Sequence, residues 1–325
     1  RYLRRRDIMQ VASDRRADKK QKRLKDTIKA MPYLLPAVIS IIIFTIIPIV
    51  YTVVIAFTDY TMYSQGNIKF VGFANFIEVL TGPFKEVFLP VFGWNIIFAV
   101  VSTAGTFFLG LIVAMAVNNP NIKEKSVYRA ILIIPWALPA TVAILSWQGL
   151  LNGSYGAINN LLLNLHLISN PIPWLTDPTW ARVALIIVNI WLGFPYMMNV
   201  CLGALGAIPD SYYEAADVDG ASKWLQFRKI TLPSLAQISY PLLISSFAFN
   251  FNNFGSAFLI TKGGPPRMAT QFAGDTDILA SVNYKLSTQF GRFEIASAIS
   301  IIIFLILGTI SYYQMKLSGQ FEEVE

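Results

Sequence analysis

The sequence predicts an all-α membrane protein of six transmembrane helices, with the N- and C-termini cytoplasmic. Three observations predict it. Of 325 residues, 54% are hydrophobic and only 14% charged, a balance outside that of water-soluble domains. Six apolar stretches each approach the ~20 residues a helix needs to cross a bilayer. The basic residues are also shared unevenly between the connecting segments, as in a chain of fixed orientation.

The first segment, 1–33, carries twelve Lys and Arg against four Asp. It reads either as a solvated cytoplasmic tail or as a polybasic strip on anionic lipid, with Leu24 and Ile28 as shallow anchors. Residues 34–325 form the transmembrane domain. Its spans are predicted at Leu34–Phe57, Gly93–Val117, Val127–Leu150, Ala181–Leu205, Ala236–Thr261 and Glu294–Met315. With the N-terminus inside, segments 1–33, 118–126 with Arg129, 208–235 and the tail from Lys316 hold nineteen of the 26 Lys and Arg. The opposite segments, 58–92, 151–180 and 262–293, hold six, and Arg182 stands at a span edge.

The connecting segments differ in character. Loop 58–92 is longer than a minimal hairpin and reads as a small lid. In loop 151–180, Trp174 and Trp180 fit an interfacial aromatic belt. Loop 262–293 holds Lys262, Arg267, Lys285 and Arg292 against Asp275 and Asp277, a mild basic excess that suits an acidic ligand. Pro48, Pro135, Pro139, Pro195 and Pro241 fall inside predicted spans. Each removes a backbone donor and kinks its helix, and the freed carbonyl then needs a neighbour or cavity water.

Polar residues concentrate in the fourth and fifth spans, around Asn189–Tyr196 and Ser245–Phe254. Amides are costly in hydrocarbon, so they face the bundle interior or water. Ser246, Phe249, Asn250 and Asn253 recur at helical spacing and share one face. Such a face pairs with sugar hydroxyls and stacks on a pyranose; equally, its amides can serve interhelical hydrogen bonds.

Several chemistries are excluded. One cysteine, Cys201, rules out an internal disulfide framework and reads as a small buried hydrophobe. One histidine, His166, leaves no histidine cluster or relay. No ionisable residue lies centrally in a span, which argues against a stand-alone secondary transporter or channel, the alternative reading. No Gly-x-x-x-x-Gly-Lys-Ser/Thr phosphate loop is present, so energy from ATP would have to come from another subunit.

Residues 211–233 stand apart: polar, yet set between two apolar runs. Ser211 and Glu214 are spaced as a capping box. Gly220 is a natural helix stop. Ser222 can cap a second helix, and Pro233 ends it. Ala215, Ala216, Gly220 and Ala221 let another backbone approach closely. The stretch is either a docking knob or an ordinary cytoplasmic loop.

Glu214-Ala215-Ala216, Asp219-Gly220-Ala221, Phe227, Ile230, Leu232 and Pro233 resemble the EAA loop of permease subunits of binding-protein-dependent ABC importers. Leu192-Gly193-Phe194-Pro195-Tyr196, Ser246–Phe254 and Gly263-Gly264-Pro265 extend the resemblance to the maltose-type sugar permeases. The resemblance implies a multi-pass permease of the bacterial inner membrane that performs no chemistry itself. It implies as partners a homologous second permease, two ATPase subunits carrying ATP and Mg, a solute-binding protein, an oligosaccharide and the lipid bilayer, with no nucleic acid. It carries sugar contacts to Asn189, Leu192, Gly193, Tyr196, Ser246, Phe249, Asn250 and Asn253. It carries ATPase docking to Glu214, Ala215, Ala216, Asp219, Gly220 and Ala221. Loop 58–92 is too short for the large outer domain of the maltose subunit, and shorter relatives carry other glycans, alginate among them.

Overall fold

A computed structural model of the chain describes residues 31–64, 66–119, 121–267 and 270–317. The basic segment 1–33, except its last three residues, lies outside them, as does 318–325. The chain divides into two compact units, one ending at Ile55 and one beginning at Ala56. The described residues of the first form an apolar helix, α1 (Met31–Ala56), with a mean hydropathy of 2.8. A π-helical stretch at Ile42–Ile46 precedes Pro48 and bonds the Ile47 amide back to Ile42. This wide turn accommodates a residue that has no donor to give.

The second unit opens with a loop folded back by one side chain. Asn75, on α2 (Ala74–Leu80), is buried and donates to the carbonyls of Ala56 (2.9 Å) and Thr58 (2.8 Å). The long helix α3 (Lys85–Asn118) follows. At 34 residues it is about 51 Å long, beyond the ~30 Å hydrocarbon thickness. It therefore starts ahead of the predicted Gly93, because Lys85 and Glu86 stand outside the apolar run that marks the span.

α8 (Pro178–Gly206) is the other half of the spine; its start is capped by Asp177 Oδ1, which accepts from the amides of Thr179 (2.9 Å) and Trp180 (3.0 Å). Pro178 at the first helical position suits its fixed φ. α3 and α8 approach closely because glycines line the contact. A Cβ on Gly110 would stand 2.7 Å from the Met198 amide nitrogen, and one on Gly193 would stand 2.6 Å from Thr106 Cγ2. Small residues at such a contact replace a hydrophobic driving force with dense packing. Around it, Phe107, Leu111 and Ala114 meet Met197, Met198, Cys201 and Ala204, with Cys201 buried as a small hydrophobe.

Between the two spine helices the predicted continuous span Val127–Leu150 is broken. It comprises α4 (Lys125–Leu132), the single turn α5 (Ile134–Ala137) and α6 (Ala140–Leu150). Leu138 and Pro139 are extended, with ψ of 146° and 118°. The residue before a proline is driven out of the helical region, so Pro139 ends α5 through Leu138. In the next connection Asn159, on α7 (Ala157–Asn164), binds the Ile172 backbone and accepts from Trp174 Nε1 at 3.0 Å. Trp174 is consequently a buried core residue and not an interfacial one; Trp180 packs edge-on against it.

After α9 (Asp210–Val218), α10 runs from Lys223 to Phe251. The predicted fifth span, Ala236–Thr261, is thus also interrupted: it stops at Phe251 and resumes as α11 (Phe254–Thr261). α12 (Leu279–Thr288) and α13 (Phe293–Leu317) complete the unit. Asn95 joins three of these elements. Fully buried, it donates to the Phe251 carbonyl and accepts from the Leu279 amide, both at 2.8 Å. Among the described residues five helices, α1, α3, α8, α10 and α13, are long and apolar enough to cross a membrane, while α6 is apolar but shorter.

The basic excess expected of loop 262–293 is largely consumed inside the fold. Asp275 pairs with Arg267 (2.9 Å) and Arg182 (3.2 Å). Lys285 meets the fully buried Asp277 at 2.6 Å, and Arg292 pairs with Glu294 and Glu78.

Asn95→Leu keeps the branched shape and strands a carbonyl and an amide. Each buried orphan costs about 1–3 kcal/mol, so thermal unfolding in detergent should shift to clearly lower temperature. A wild-type midpoint would show that Asn95 joins nothing that matters.

Candidate functional site

A cavity of about 550 Å³ opens among α5, α6, α8, α10 and α11, within the ~300–1,000 Å³ range of small-molecule sites. All eight predicted contact residues, Asn189, Leu192, Gly193, Tyr196, Ser246, Phe249, Asn250 and Asn253, line it. Among the described residues that line it, none is charged.

One side of the cavity is a hydrogen-bonded polar wall. Asn189 Nδ2 donates to Asn250 Oδ1 at 2.8 Å, and Asn250 Nδ2 donates to Thr103 Oγ1 on α3 at 3.0 Å. Asn253 Nδ2 donates to Asn189 Oδ1 at 2.8 Å, and Ser256 Oγ joins the same oxygen at 3.2 Å. Asn189 and Asn250 are each 4% exposed. The two readings of these amides therefore coincide: they bind helices together and also form the cavity lining. Aromatic rings stand out from this wall, with Phe249 69% and Tyr196 38% exposed.

The expectation that residues 246, 249, 250 and 253 share one helical face holds only as far as Asn250. The helix ends at Phe251, and Asn253 caps α11 by accepting from the Ser256 amide at 3.3 Å. Asn side chains compete for backbone hydrogen bonds and favour caps over helix interiors. Asn253 thus reaches the cavity through a break and not through periodicity. Ser245, at the start of the polar stretch, also lines the cavity, as do Thr106, Trp136, Thr141 and Ser256, which did not stand out in the sequence. For Trp136 and Thr141 the available signal was the Pro135–Pro139 pair.

The stretch 211–233 is a knob at one end of α10. α9 closes in a Schellman motif: the Ala221 amide donates to Ala216 and the Gly220 amide to Asp217, with Gly220 at φ 73°. That conformation is why glycine stands there. The predicted capping box does not form. Pro209 occupies the cap position with no side-chain acceptor, and Ser211 is already inside the helix. Ser222 does cap the second helix, accepting from the Leu225 amide at 3.3 Å. Pro233 does not end it. A π-helical stretch, Phe227–Thr231, bonds Leu232 back to Phe227 and leaves Pro233 in a new first turn, where no donor is missed.

Across the Gly220 turn Asp217 clasps the two helices. Its carboxylate accepts from Lys223 Nζ at 2.9 Å and from Gln226 Nε2. Glu214, Ala215, Asp219 and Gly220 are exposed, while Ala216 and Ala221 are half-buried. Val218 and Trp224 project apolar surface beside them, 88% and 69% exposed.

Residues 106–320 match the family described as the binding-protein-dependent transport system inner membrane component. The chain belongs to this family. The permease is 36% identical over 333 residues to the galactooligosaccharides transport system permease protein GanP of Bacillus subtilis (strain 168), covering 99% of this chain and 79% of that one. It is 42% identical over 258 residues to the maltose/maltodextrin transport system permease protein MalF of Escherichia coli (strain K12), covering 78% of this chain and 50% of that one. Its fold is similar to a chain of a bacterial ABC transporter involved in the import of the acidic polysaccharide alginate. The TM-score is 0.74 at 24% identity, over 92% of this chain and 99% of that one.

Two tests follow from the geometry of the permease. Asn250→Ala removes two buried hydrogen bonds and should lower the thermal midpoint by an amount corresponding to about 1–3 kcal/mol; an unchanged midpoint would mean that water takes over both. The clasp responds to pH. Hydrogen bonds from Lys223 and Gln226 hold the Asp217 carboxyl below its ordinary value. A depressed value means the clasp is complete above the unfolded-state value near 3.8 and is lost as pH falls through the folded one. Amide exchange across 210–226 should stay slow from neutral pH down to about 5, whereas Asp217→Asn should quicken it throughout. Equal exchange in the two proteins would remove the clasp.

Proposed function

We propose that the permease forms half of the translocation pathway of an ATP-driven importer for neutral oligosaccharides. The observation that carries this reading is the convergence of all eight candidate contact residues on one uncharged cavity. Amide and hydroxyl groups there suit sugar hydroxyls, and exposed Tyr196 and Phe249 suit the apolar face of a pyranose. The printed specificities of similar proteins agree: GanP is named for galactooligosaccharides and MalF for maltose and maltodextrin. An acidic glycan is the weaker candidate. Among the described residues no basic side chain lines the cavity, and Arg267, Lys285 and Arg292 are already paired.

The chain is placed in the bacterial inner membrane with both termini cytoplasmic, and the broken 127–150 stretch completes six crossings. A second, homologous permease supplies the other half of the pathway. A solute-binding protein delivers the sugar from outside, as supported by a structural neighbour solved with an alginate pentasaccharide-bound periplasmic protein. Two ATPase subunits hold ATP and Mg and dock on Glu214, Ala215, Ala216, Asp219, Gly220 and Ala221. Their closure pushes the knob and α10, and the bundle rocks between outward and inward access.

The test is ATP hydrolysis and uptake in liposomes by the chain co-assembled with its partner permease, ATPase subunits and binding protein, with neutral and acidic oligosaccharides supplied singly. Neutral glycans should stimulate both activities; stimulation by acidic glycans alone would reverse the assignment, and by none would remove the sugar. Glu214→Lys inverts an exposed charge on the knob without touching the core. Uptake should fall to background while the chain still inserts, and normal uptake would place the coupling contact elsewhere.

A further inference from the structure

We propose that Trp136 is a stacking platform for an additional sugar ring, and so sets which chain lengths the site accepts. This rests on the oligosaccharide reading above and deepens it. Trp136 belongs to α5, the single turn between the two breaks of the third apolar stretch. Its indole lines the cavity and is 55% exposed. The ring centroid lies 6.2 Å from that of Tyr196, with the planes 36° apart. Two aromatic rings are thus neighbours in one cavity.

Backbone restraint holds this arrangement. Pro135 is buried in the first turn of α5, and Leu138 and Pro139 are extended immediately after it. α5 also packs on α8, the helix that carries Tyr196. The indole is therefore mounted on a fixed turn. Its Nε1–H makes no hydrogen bond to the described residues, and the exposed indole can offer that donor to a ligand. A pyranose offers what both parts of the side chain lack: C–H groups for the ring face and hydroxyl oxygens for the N–H. With Tyr196 and Phe249 taking the two rings of a disaccharide, Trp136 is covered only by a third ring of the same chain.

The consequence is a dependence on length. In the full complex reconstituted in liposomes, uptake is measured for maltose, maltotriose and maltopentaose, and for galactooligosaccharides of two to five rings. Trp136→Ala should lower uptake of chains of three or more rings by about three- to tenfold relative to the disaccharide, the scale of one aromatic contact. Trp136→Leu, which keeps bulk and loses the flat face, should show the same length-dependent loss. Trp136→Phe should recover most of it. An equal loss at every length would make Trp136 a packing residue, and no loss would leave it a bystander; either result overturns the proposal. If wild-type complex is driven by no glycan of any length, the oligosaccharide reading itself fails, and that is visible before any variant is made.

Discussion

Inside hydrocarbon a backbone group that leaves a helix must find another partner, and this constraint shapes the second unit. At the breaks around α11 and α12, side-chain amides take up the freed backbone groups. Asn95 takes the Phe251 carbonyl and the Leu279 amide, closing both sides of the α10–α12 region with one residue. Gln148 donates to the Ile260 carbonyl at the end of α11. Asn253 caps the start of α11 while also bonding Asn189. The breaks and the amides are two parts of one device. It permits irregular backbone beside a cavity without leaving polar groups stranded.

The electrostatic character of the cavity follows from the same device. Neutral dipoles that are already hydrogen-bonded to one another give a polar surface with no net charge. Such a surface can meet hydroxyl groups of many orientations and holds none of them as tightly as a charge would. Weak, distributed contact suits a site that must release what it receives. The ionic groups are kept elsewhere: Asp275 and Asp277 gather Arg182, Arg267 and Lys285 near the 262–278 loop.

Much of this was legible in the sequence, though unevenly. Composition and charge bias indicated helical spans, and the residues that line the cavity could be named from motif resemblance. What failed were local rules applied without their surroundings. Helical spacing carried Ser246, Phe249 and Asn250 correctly, then lost Asn253, because an asparagine pair offers the backbone a cap as readily as another turn. Pro233 looked like a stop, but a π-helical turn upstream had already shifted the hydrogen-bond register. Pro139 acted where Pro195 and Pro241 did not, since those two lie within helices that continue through them. Trp174 looked interfacial until Asn159, fifteen residues earlier, supplied a buried partner for its indole. Each error lies in which contact won, and that is decided by residues distant in sequence.

The uninterrupted run of α10 has a mechanical meaning. From Lys223, beside the knob, to Asn250, in the cavity wall, the backbone is helical throughout, a distance of about 40 Å at 1.5 Å per residue. The π-helical stretch Phe227–Thr231 and Pro241 lie along it, and at its far end Asn250 is tied to Thr103 and Asn189. One hydrogen-bonded backbone thus joins the exposed knob to the polar wall.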